Sequence, residues 1–237
     1  MPRTARIIAP SYPHHVTQRG LDKQQVFFSD EDYRDYLRIL QEETRRNGVS
    51  IWAYCLMPNH VHLVLTPSTK DGLGRAVGET ARRYARASNR RRDHDGHVWH
   101  TRYYSVTMDE RHLLEAVRYI LLNPVRANLR KSAGRWPWSS YGAHAAGADD
   151  VIEASPIAGR IGSIAAFVAV GMARDAADKI RAGTLNGRPL GDERFVRTIA
   201  TTLGRIVSAR PRGRPPTRAK TPGRTKAPPR GDSRGGA

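Results

Sequence analysis

The chain has 237 residues, enough for one sizeable domain and a smaller unit, and a net charge of +18 that favours a polyanionic partner, nucleic acid before membrane. Its single cysteine, Cys55, excludes an intrachain disulfide and a thiolate metal cluster. Because residues 1–10 lack the apolar core of a signal peptide and no apolar run reaches membrane-spanning length, we expect a cytoplasmic, nucleoid-associated protein.

The first predicted elements are a short strand and a helix. Residues 14–19 predict a strand that ends at Gly20, and Ser29 is a candidate N-cap for a helix that should stop near residues 47–48. His14 and His15 are adjacent, so they face opposite sides of the strand. We favour a packing or surface role for both, although one of them could approach a metal on its face of the sheet.

A β-hairpin follows, and its second strand carries two histidines. Residues 49–56 and 60–66 predict two strands, joined by a turn at residues 57–59. Side chains on a strand alternate faces, so His60 and His62 point the same way. Two such imidazoles are half of a divalent-metal site. The alternative is a pair of structural histidines in the sheet, and the spacing alone does not choose between them.

The second predicted helix, over residues 73–91, is rich in arginine. Arg82, Arg86 and Arg90 lie at i, i+4 and i+8 and therefore share one face. Few acidic residues nearby balance this row, so we favour a contact with a phosphate backbone over the alternative of a solvated helix face. Further charge comes from Arg75, Arg83, Arg91 and Arg92.

Two more elements complete the pattern of the main domain. Residues 98–107 predict a fourth strand, and residues 108–123 predict a helix that Pro124 should stop. The order of strand, helix, strand, strand, helix, strand and helix predicts an α+β protein with a ferredoxin-like antiparallel sheet (βαββαβ). The last helix is an addition to that fold.

This added helix carries a second candidate constellation. Tyr119 and Asn123 are four residues apart and lie on one face. An asparagine oxygen can complete a metal site that two imidazoles begin, and a tyrosine can serve as a nucleophile that forms a covalent phosphoester. Taken singly, Tyr119 fits a core tyrosine and Asn123 fits a helix end, so the functional interpretation depends on their combination.

The rest of the chain divides into an extension and a tail. Residues 136–141 are aromatic and should pack back on the main domain, and residues 143–150 predict a linker. Residues 151–207 predict two or three short helices with too little apolar material for an independent core. We therefore expect a main domain over 1–142, a helical extension over 143–207 and a tail over 208–237.

The tail has the composition of a disordered basic segment. Residues 208–237 contain nine Lys or Arg and one Asp, a charge of 9 − 1 = +8, with six prolines. Residues 210–215 (Arg-Pro-Arg-Gly-Arg-Pro) are similar to arms that enter the minor groove of A·T-rich DNA. The alternatives are a solubilising tail and nonspecific RNA binding.

Two of the longer motifs resemble the signatures of single-tyrosine HUH transposases, the IS200-like family. They are residues 57–62 (Met-Pro-Asn-His-Val-His) and residues 119–127 (Tyr-Ile-Leu-Leu-Asn-Pro-Val-Arg-Ala). The subgroup they resemble is the REP-associated tyrosine transposases. The resemblance covers roughly residues 5 to 215, since shorter pieces match in the same order: 15–20, 52–56, 96–99, 136–141, 187–191 and 213–215.

The resemblance implies that residues 1–142 are a metal-dependent, single-stranded DNA endonuclease and strand transferase. It implies that His60, His62 and Asn123 bind Mg²⁺ or Mn²⁺, and that Tyr119 attacks a phosphodiester to leave a 5′-phosphotyrosine and a free 3′-OH. The implied substrate is a REP element, a repetitive extragenic palindrome, folded as a hairpin beside a single-stranded guide. We expect a monomer or a homodimer.

The alternative is a catalytically silent DNA- or RNA-binding protein domesticated from a transposase, although the intact site residues argue against decay. Two positions depart from the family pattern: His100 stands where relatives commonly have Gln, and Asn128 where they commonly have Gly. Asn tolerates the left-handed conformation, so the second departure is mild. We assign DNA contacts to a set of arginines: Arg19, Arg75, Arg82, Arg83, Arg86, Arg90, Arg210, Arg212 and Arg214.

Overall fold

The β-hairpin predicted around the His-x-His motif is the centre of the sheet. In the computed structural model, which describes residues 5–147, 150–153 and 155–208, β2 (Val49–Met57) pairs antiparallel with β3 (His60–Pro67). Strand β1 (His14–Arg19) pairs antiparallel with the other edge of β3 and with β4 (Tyr104–Thr107). The resulting order, β2-β3-β1-β4, confirms the predicted four-stranded antiparallel sheet of a βαββαβ fold.

Helices on the sheet begin where the sequence places their caps. Helix α1 (Asp30–Arg46) starts with a capping box in which Ser29 and Asp32 satisfy each other's backbone N–H groups. It packs against α2 (Gly72–Arg91), and both contact the sheet. Helix α3 (Glu110–Arg126) starts at Asp109, whose carboxylate accepts from the backbone N–H of His112.

Two predicted boundaries in this region are wrong. The fourth strand begins at Tyr104 rather than residue 98, because pairing with β1 is interrupted over residues 101–103, and residues 98–100 form only an isolated bridge to the end of β1. Trp99 donates its indole N–H to the Ala81 carbonyl and packs against Tyr84. Helix α3 continues through Pro124 to Arg126, since a proline in the last turn removes one helical hydrogen bond but leaves the turn intact.

Five helices form the C-terminal part of the described chain. They are α4 (Tyr141–Ala146), α5 (Ser155–Ile161), α6 (Ile164–Ala169), α7 (Arg174–Asn186) and α8 (Glu193–Leu203). The predicted linker over 143–150 is therefore wrong in its first half, which is helical. Phe167 of α6 and Ile180 of α7 are buried in the same apolar core as the sheet. The boundaries proposed at residues 142 and 207 stay predictions.

The aromatic segment after α3 packs back on the main domain as predicted. The Trp136 indole N–H donates to the Leu56 carbonyl of β2, and Trp138 stacks on Tyr33 of α1. Its backbone thereby closes the open edge of β2, where the Leu56 N–H donates to the Trp138 carbonyl. Among the described residues, the helices are all too short or too polar to traverse a lipid bilayer.

Candidate active site

His60, His62, Tyr119 and Asn123 line one cavity of about 990 Å³. The two histidines come from β3 and are adjacent, with ring centroids 4.8 Å apart. Tyr119 and Asn123 come from α3, which packs on the sheet face that carries His62. The sequence predicted that these four side chains would meet, and the fold brings them together. Their chemical roles stay predictions.

Hydrogen bonding fixes the orientation of the His60 ring. Its Nδ1–H donates to the Asn59 side-chain oxygen at 2.6 Å, and the Asn59 amide nitrogen donates to the Lys23 carbonyl at 3.0 Å. The second bond determines which way the Asn59 amide points, so the oxygen must face His60. A neutral His60 therefore carries its proton on Nδ1, and its Nε2 lone pair is left available.

Burial keeps these histidines neutral. It lowers the pKa of His60 to about 4, with a smaller contribution from the Arg19 charge, and that of His15 to about 3. Burial and the neighbouring His60, His15 and Arg181 also hold the pKa of His62 well below its usual value. Neutral imidazoles at neutral pH are the form that ligates metals.

His15 belongs to this group of side chains, although the sequence favoured a packing or surface role for it. Its Nε2 lies 3.0 Å from the His62 Nδ1, and its Nδ1 lies 2.8 Å from the Thr184 hydroxyl. His14 points to the other face, as predicted. There its Nδ1–H donates to the Tyr12 carbonyl and its Nε2 accepts from the Ala9 backbone N–H.

Tyr119 stands edge-on to both buried imidazoles. Its ring centroid is 5.4 Å from that of His62 and 6.0 Å from that of His15, in each case nearly perpendicular. The side chain is almost fully buried, with 3% exposed. Two arginines surround it: the Arg181 Nε–H donates to the phenol oxygen at 3.3 Å, and the Arg126 guanidinium lies 4.9 Å from the ring centroid.

The Asn123 amide fits an oxygen ligand. It is buried, and its Nδ2 is left without a hydrogen-bond partner among the described residues. Rotating the amide exchanges its nitrogen and oxygen, so the same position can present a carbonyl oxygen to a cation. Within the described part of the chain, no three His, Cys, Asp or Glu side chains form a cluster able to hold a metal. The metal ligands predicted from the sequence, two imidazoles and one amide, stay a prediction.

The predicted DNA-binding arginines do not share one environment. Arg19 of β1 lies opposite His60 of β3 in the strand register and lines the cavity. The arginines of α2 lie outside the lining of that cavity, and Arg86 and Arg90 border a separate depression with Asn89 and His94. The tail arginines, Arg210, Arg212 and Arg214, lie outside the described residues.

The expectation that few acids balance the arginines of α2 is wrong for Arg75, Arg82, Arg83 and Arg91, of which only Arg82 belongs to the predicted row. Arg83 binds Glu42 and Glu43 of α1, each at 2.6 Å, and Arg91 pairs with Asp32 and with other acids of α1. Arg82 pairs with Glu79 of the same helix, and Arg75 pairs with Asp71, the N-cap residue before it. The acidic residues of α1 are distant in sequence from α2, so the local sequence around α2 does not reveal them. Arg83 and Arg91 hold the two helices together.

Three residues near the proposed nucleophile were not predicted as site residues from the sequence: Arg126, Arg181 and Thr184. The last two lie on α7, a helix that was not predicted individually. Ala176, Ala177, Ile180 and Thr184 recur at helical spacing and Gly187 closes the helix in a left-handed conformation, so the element was detectable. The position of α7 over the cavity could not be predicted, because no sequence motif indicates where this helix packs on the sheet.

Comparison with known proteins finds a similarity in the main domain. The profile of the family Transposase IS200 like matches residues 10–123, just under half of the 237-residue chain. This segment is similar to the IS200-like transposases. All four strands, α1, α2 and the two candidate residues of α3 lie within it.

Two relatives extend the comparison. A Haemophilus influenzae protein named after the REP-associated tyrosine transposases is 24% identical over 100 residues, which are 38% of this chain and 57% of that protein. A REP-associated tyrosine transposase solved with a bound REP hairpin shares the fold, with a TM-score of 0.54 and 18% identity over 62% of this chain and 86% of the other. Arg181 and Thr184 lie beyond the family match.

Proposed function

We propose that this protein cleaves and rejoins single-stranded DNA next to REP-type hairpins, with Tyr119 as the nucleophile. The observation that carries the proposal is the convergence of Tyr119, the two neutral histidines and Asn123 on one cavity. Cavities that gather a nucleophile, perturbed imidazoles and cationic side chains are typical of active sites.

Tyr119 would attack the phosphorus of a phosphodiester through its phenol oxygen. The new bond joins that oxygen to phosphorus, the bond from phosphorus to the 3′ oxygen breaks, and the phenol proton is finally carried by the departing 3′-OH. Arg181 donates to the phenol oxygen and stabilises negative charge that develops there as the proton leaves. Because the phosphotyrosine bond preserves the energy of the broken phosphodiester, the reverse attack by another 3′-OH rejoins DNA without ATP.

His60, His62 and Asn123 are the residues that would hold Mg²⁺ or Mn²⁺. The Nε2 lone pair of His60 is available, and the buried amide of Asn123 can supply an oxygen. A divalent ion bound by this set would polarise the scissile phosphate as a Lewis acid. Three protein ligands leave coordination positions for phosphate oxygen and water.

The hairpin substrate is supported by the partner of the structural relative and by charge. That relative was solved with a REP hairpin bound. The present chain carries a net charge of +18, which favours a polyanion, and Arg19 and Arg126 add positive charge to the cavity itself.

The test is cleavage of an end-labelled REP hairpin oligonucleotide with a single-stranded flank. Wild-type protein should cleave it in Mg²⁺ or Mn²⁺ and not in excess EDTA, and Tyr119→Phe should lose cleavage by at least about 10³-fold while still binding the hairpin. Equal cleavage by the wild type and Tyr119→Phe would contradict the proposal. Binding without cleavage or a covalent adduct by the wild type would favour the silent nucleic-acid-binding protein instead.

A further inference from the structure

A continuous run of hydrogen bonds links α7 to His62 through two buried side chains. The Thr184 hydroxyl donates to the Ile180 carbonyl one helical turn earlier at 2.7 Å, and lies 2.8 Å from the His15 Nδ1. The His15 Nε2 in turn lies 3.0 Å from the His62 Nδ1. Thr184 and His15 are 2% and 1% exposed, so water does not compete for these bonds.

The direction of each bond follows from counting protons. A hydroxyl has one proton, and Thr184 gives its proton to Ile180, so the hydroxyl must accept from the His15 Nδ1–H. A neutral imidazole has one N–H, so the His15 Nε2 is then an acceptor. The His62 Nδ1 must therefore be the donor, and the lone pair of His62 lies on Nε2.

The ring geometry supports a true hydrogen bond between the two imidazoles. Their planes are 6° apart and their centroids 5.2 Å apart. For a nitrogen separation of 3.0 Å, a centroid separation that large means that the rings meet edge to edge in nearly one plane. The His62 N–H then points along the lone pair of His15, rather than at its ring face.

We propose that Thr184 is a positioning residue of the active site, which fixes the tautomer of His62 through His15 and so directs the His62 Nε2 lone pair to the metal. The role that Asn59 plays for His60 is played for His62 by the pair His15 and Thr184. Such partners of a ligating histidine set which nitrogen is free to bind. The C-terminal extension would then complete a site whose ligands lie in the family domain.

The metal-binding role of His62 rests on the proposed function, but the assignment of its proton to Nδ1 does not. If Thr184 instead donated to His15, the whole run would reverse, and His62 would carry its proton on Nε2, where it cannot ligate. Long-range ¹H–¹⁵N correlation spectra of the histidine rings in the metal-free protein distinguish these two states. The wild type should have both His15 and His62 protonated on Nδ1. Protonation of His62 on Nε2 would overturn the proposal.

Replacement of Thr184 tests whether this residue sets the tautomer of His62. Thr184→Val keeps the shape but removes the acceptor, so His15 should donate through Nε2 and His62 should move its proton to Nε2. Mn²⁺ affinity, measured by the loss of the free-ion electron paramagnetic resonance signal, should fall by about tenfold. Thr184→Ser retains the hydroxyl and should match the wild type in both measurements.

The outcomes separate this proposal from the proposed function. Unchanged tautomers and Mn²⁺ affinity in Thr184→Val would overturn the positioning role. If Thr184→Val does not fold, the wild-type tautomer of His62 decides the question, since the proton lies on Nδ1 if Thr184 accepts from His15 and on Nε2 if it does not. A wild type with His62 protonated on Nδ1 that binds no Mn²⁺ would support the hydrogen-bond run and contradict the metal site of the proposed function.

Discussion

Arg181 is the residue whose contact bears most directly on the proposed nucleophile. Its Nε–H reaches the Tyr119 oxygen, while its Nη1 pairs with the exposed Asp178 on the same helix. Arg181→Gln should lower the hairpin cleavage rate by about tenfold, since a charge-assisted hydrogen bond to the reacting oxygen is lost. Single-turnover cleavage at saturating protein measures this rate.

The matched control lies on the same helix. Lys179→Gln also removes one positive charge, but Lys179 pairs with Asp175 and does not line the cavity. It should cleave at the wild-type rate. Equal losses in Arg181→Gln and Lys179→Gln would indicate a general charge effect and contradict a specific role for Arg181 at Tyr119.

His14 predicts a pH dependence of folding that is separate from catalysis. Burial lowers its pKa to about 4, so the unfolded chain binds a proton here between pH 6.5 and 4 while the folded protein does not. The free energy of unfolding should therefore fall as the pH drops through this window, by up to about 1.4 kcal/mol per unit for this one group.

Urea denaturation at pH 7, 5.5 and 4.5 measures that dependence. His14→Gln has no group that titrates in this window, so its stability should fall less steeply with decreasing pH than that of the wild type. Parallel curves for the two proteins would contradict the assignment of a depressed pKa to His14.

At the scale of the elements, we expect Arg83 of α2 to contribute to stability and Arg86 to contribute to hairpin binding. Arg83 pairs with Glu43, whose side chain is only 2% exposed, so Arg83→Gln leaves a buried carboxylate with Arg46 as its remaining partner. We expect a loss of about 1–2 kcal/mol, since Arg83 is itself partly exposed and the full cost of an unpaired buried charge is not reached.

Arg86→Gln is the companion variant, because Arg86 borders an open depression with Asp93 and Asp95 that no α1 residue lines. It should leave the free energy of unfolding within about 0.5 kcal/mol of the wild type and weaken hairpin binding. Urea denaturation and a binding titration at two salt concentrations measure both. Weaker binding by Arg83→Gln with unchanged stability would reverse the assignment of the two arginines.

Local sequence patterns predicted the elements well where one physical signal dominates. The alternation of β3 placed His60 and His62 on one face, and the Ser29 cap located the start of α1. Asn128, which stands where relatives commonly have Gly, adopts the left-handed conformation that Asn tolerates, with φ 56°. The prediction failed where tertiary contacts override local chemistry, as in residues 98–103, which keep only an isolated bridge to the end of β1.

The candidate site was only half accessible to sequence reasoning. His60, His62, Tyr119 and Asn123 stand in two dense motifs, and their spacing on a strand and a helix predicts shared faces. His15, Arg181 and Thr184 reach the same cavity from elements whose relative placement depends on the whole fold. No local pattern encodes that placement.

At the scale of the whole molecule, charge is concentrated in the C-terminal tail. Residues 208–237 carry 9 − 1 = +8 of the net +18, and residues 209–237 lie outside the described part of the chain. Deleting residues 208–237 should weaken hairpin binding and reduce the slope of log affinity against log salt, because fewer counterions are released. If the deletion variant and the wild type bind the hairpin with equal affinity at about 50 mM and at about 200 mM salt, the tail is not part of the DNA interface.

The central claim is that Tyr119 becomes covalently joined to DNA beside the two histidines. Its most direct test is incubation of the wild-type protein with a REP hairpin oligonucleotide and Mn²⁺, followed by nuclease and protease digestion and mass spectrometry of the nucleotide-bearing peptide. We predict one adduct, a 5′-phosphate ester on Tyr119. A phosphodiester cut without any protein–DNA adduct, or an adduct on a different residue, would contradict the account.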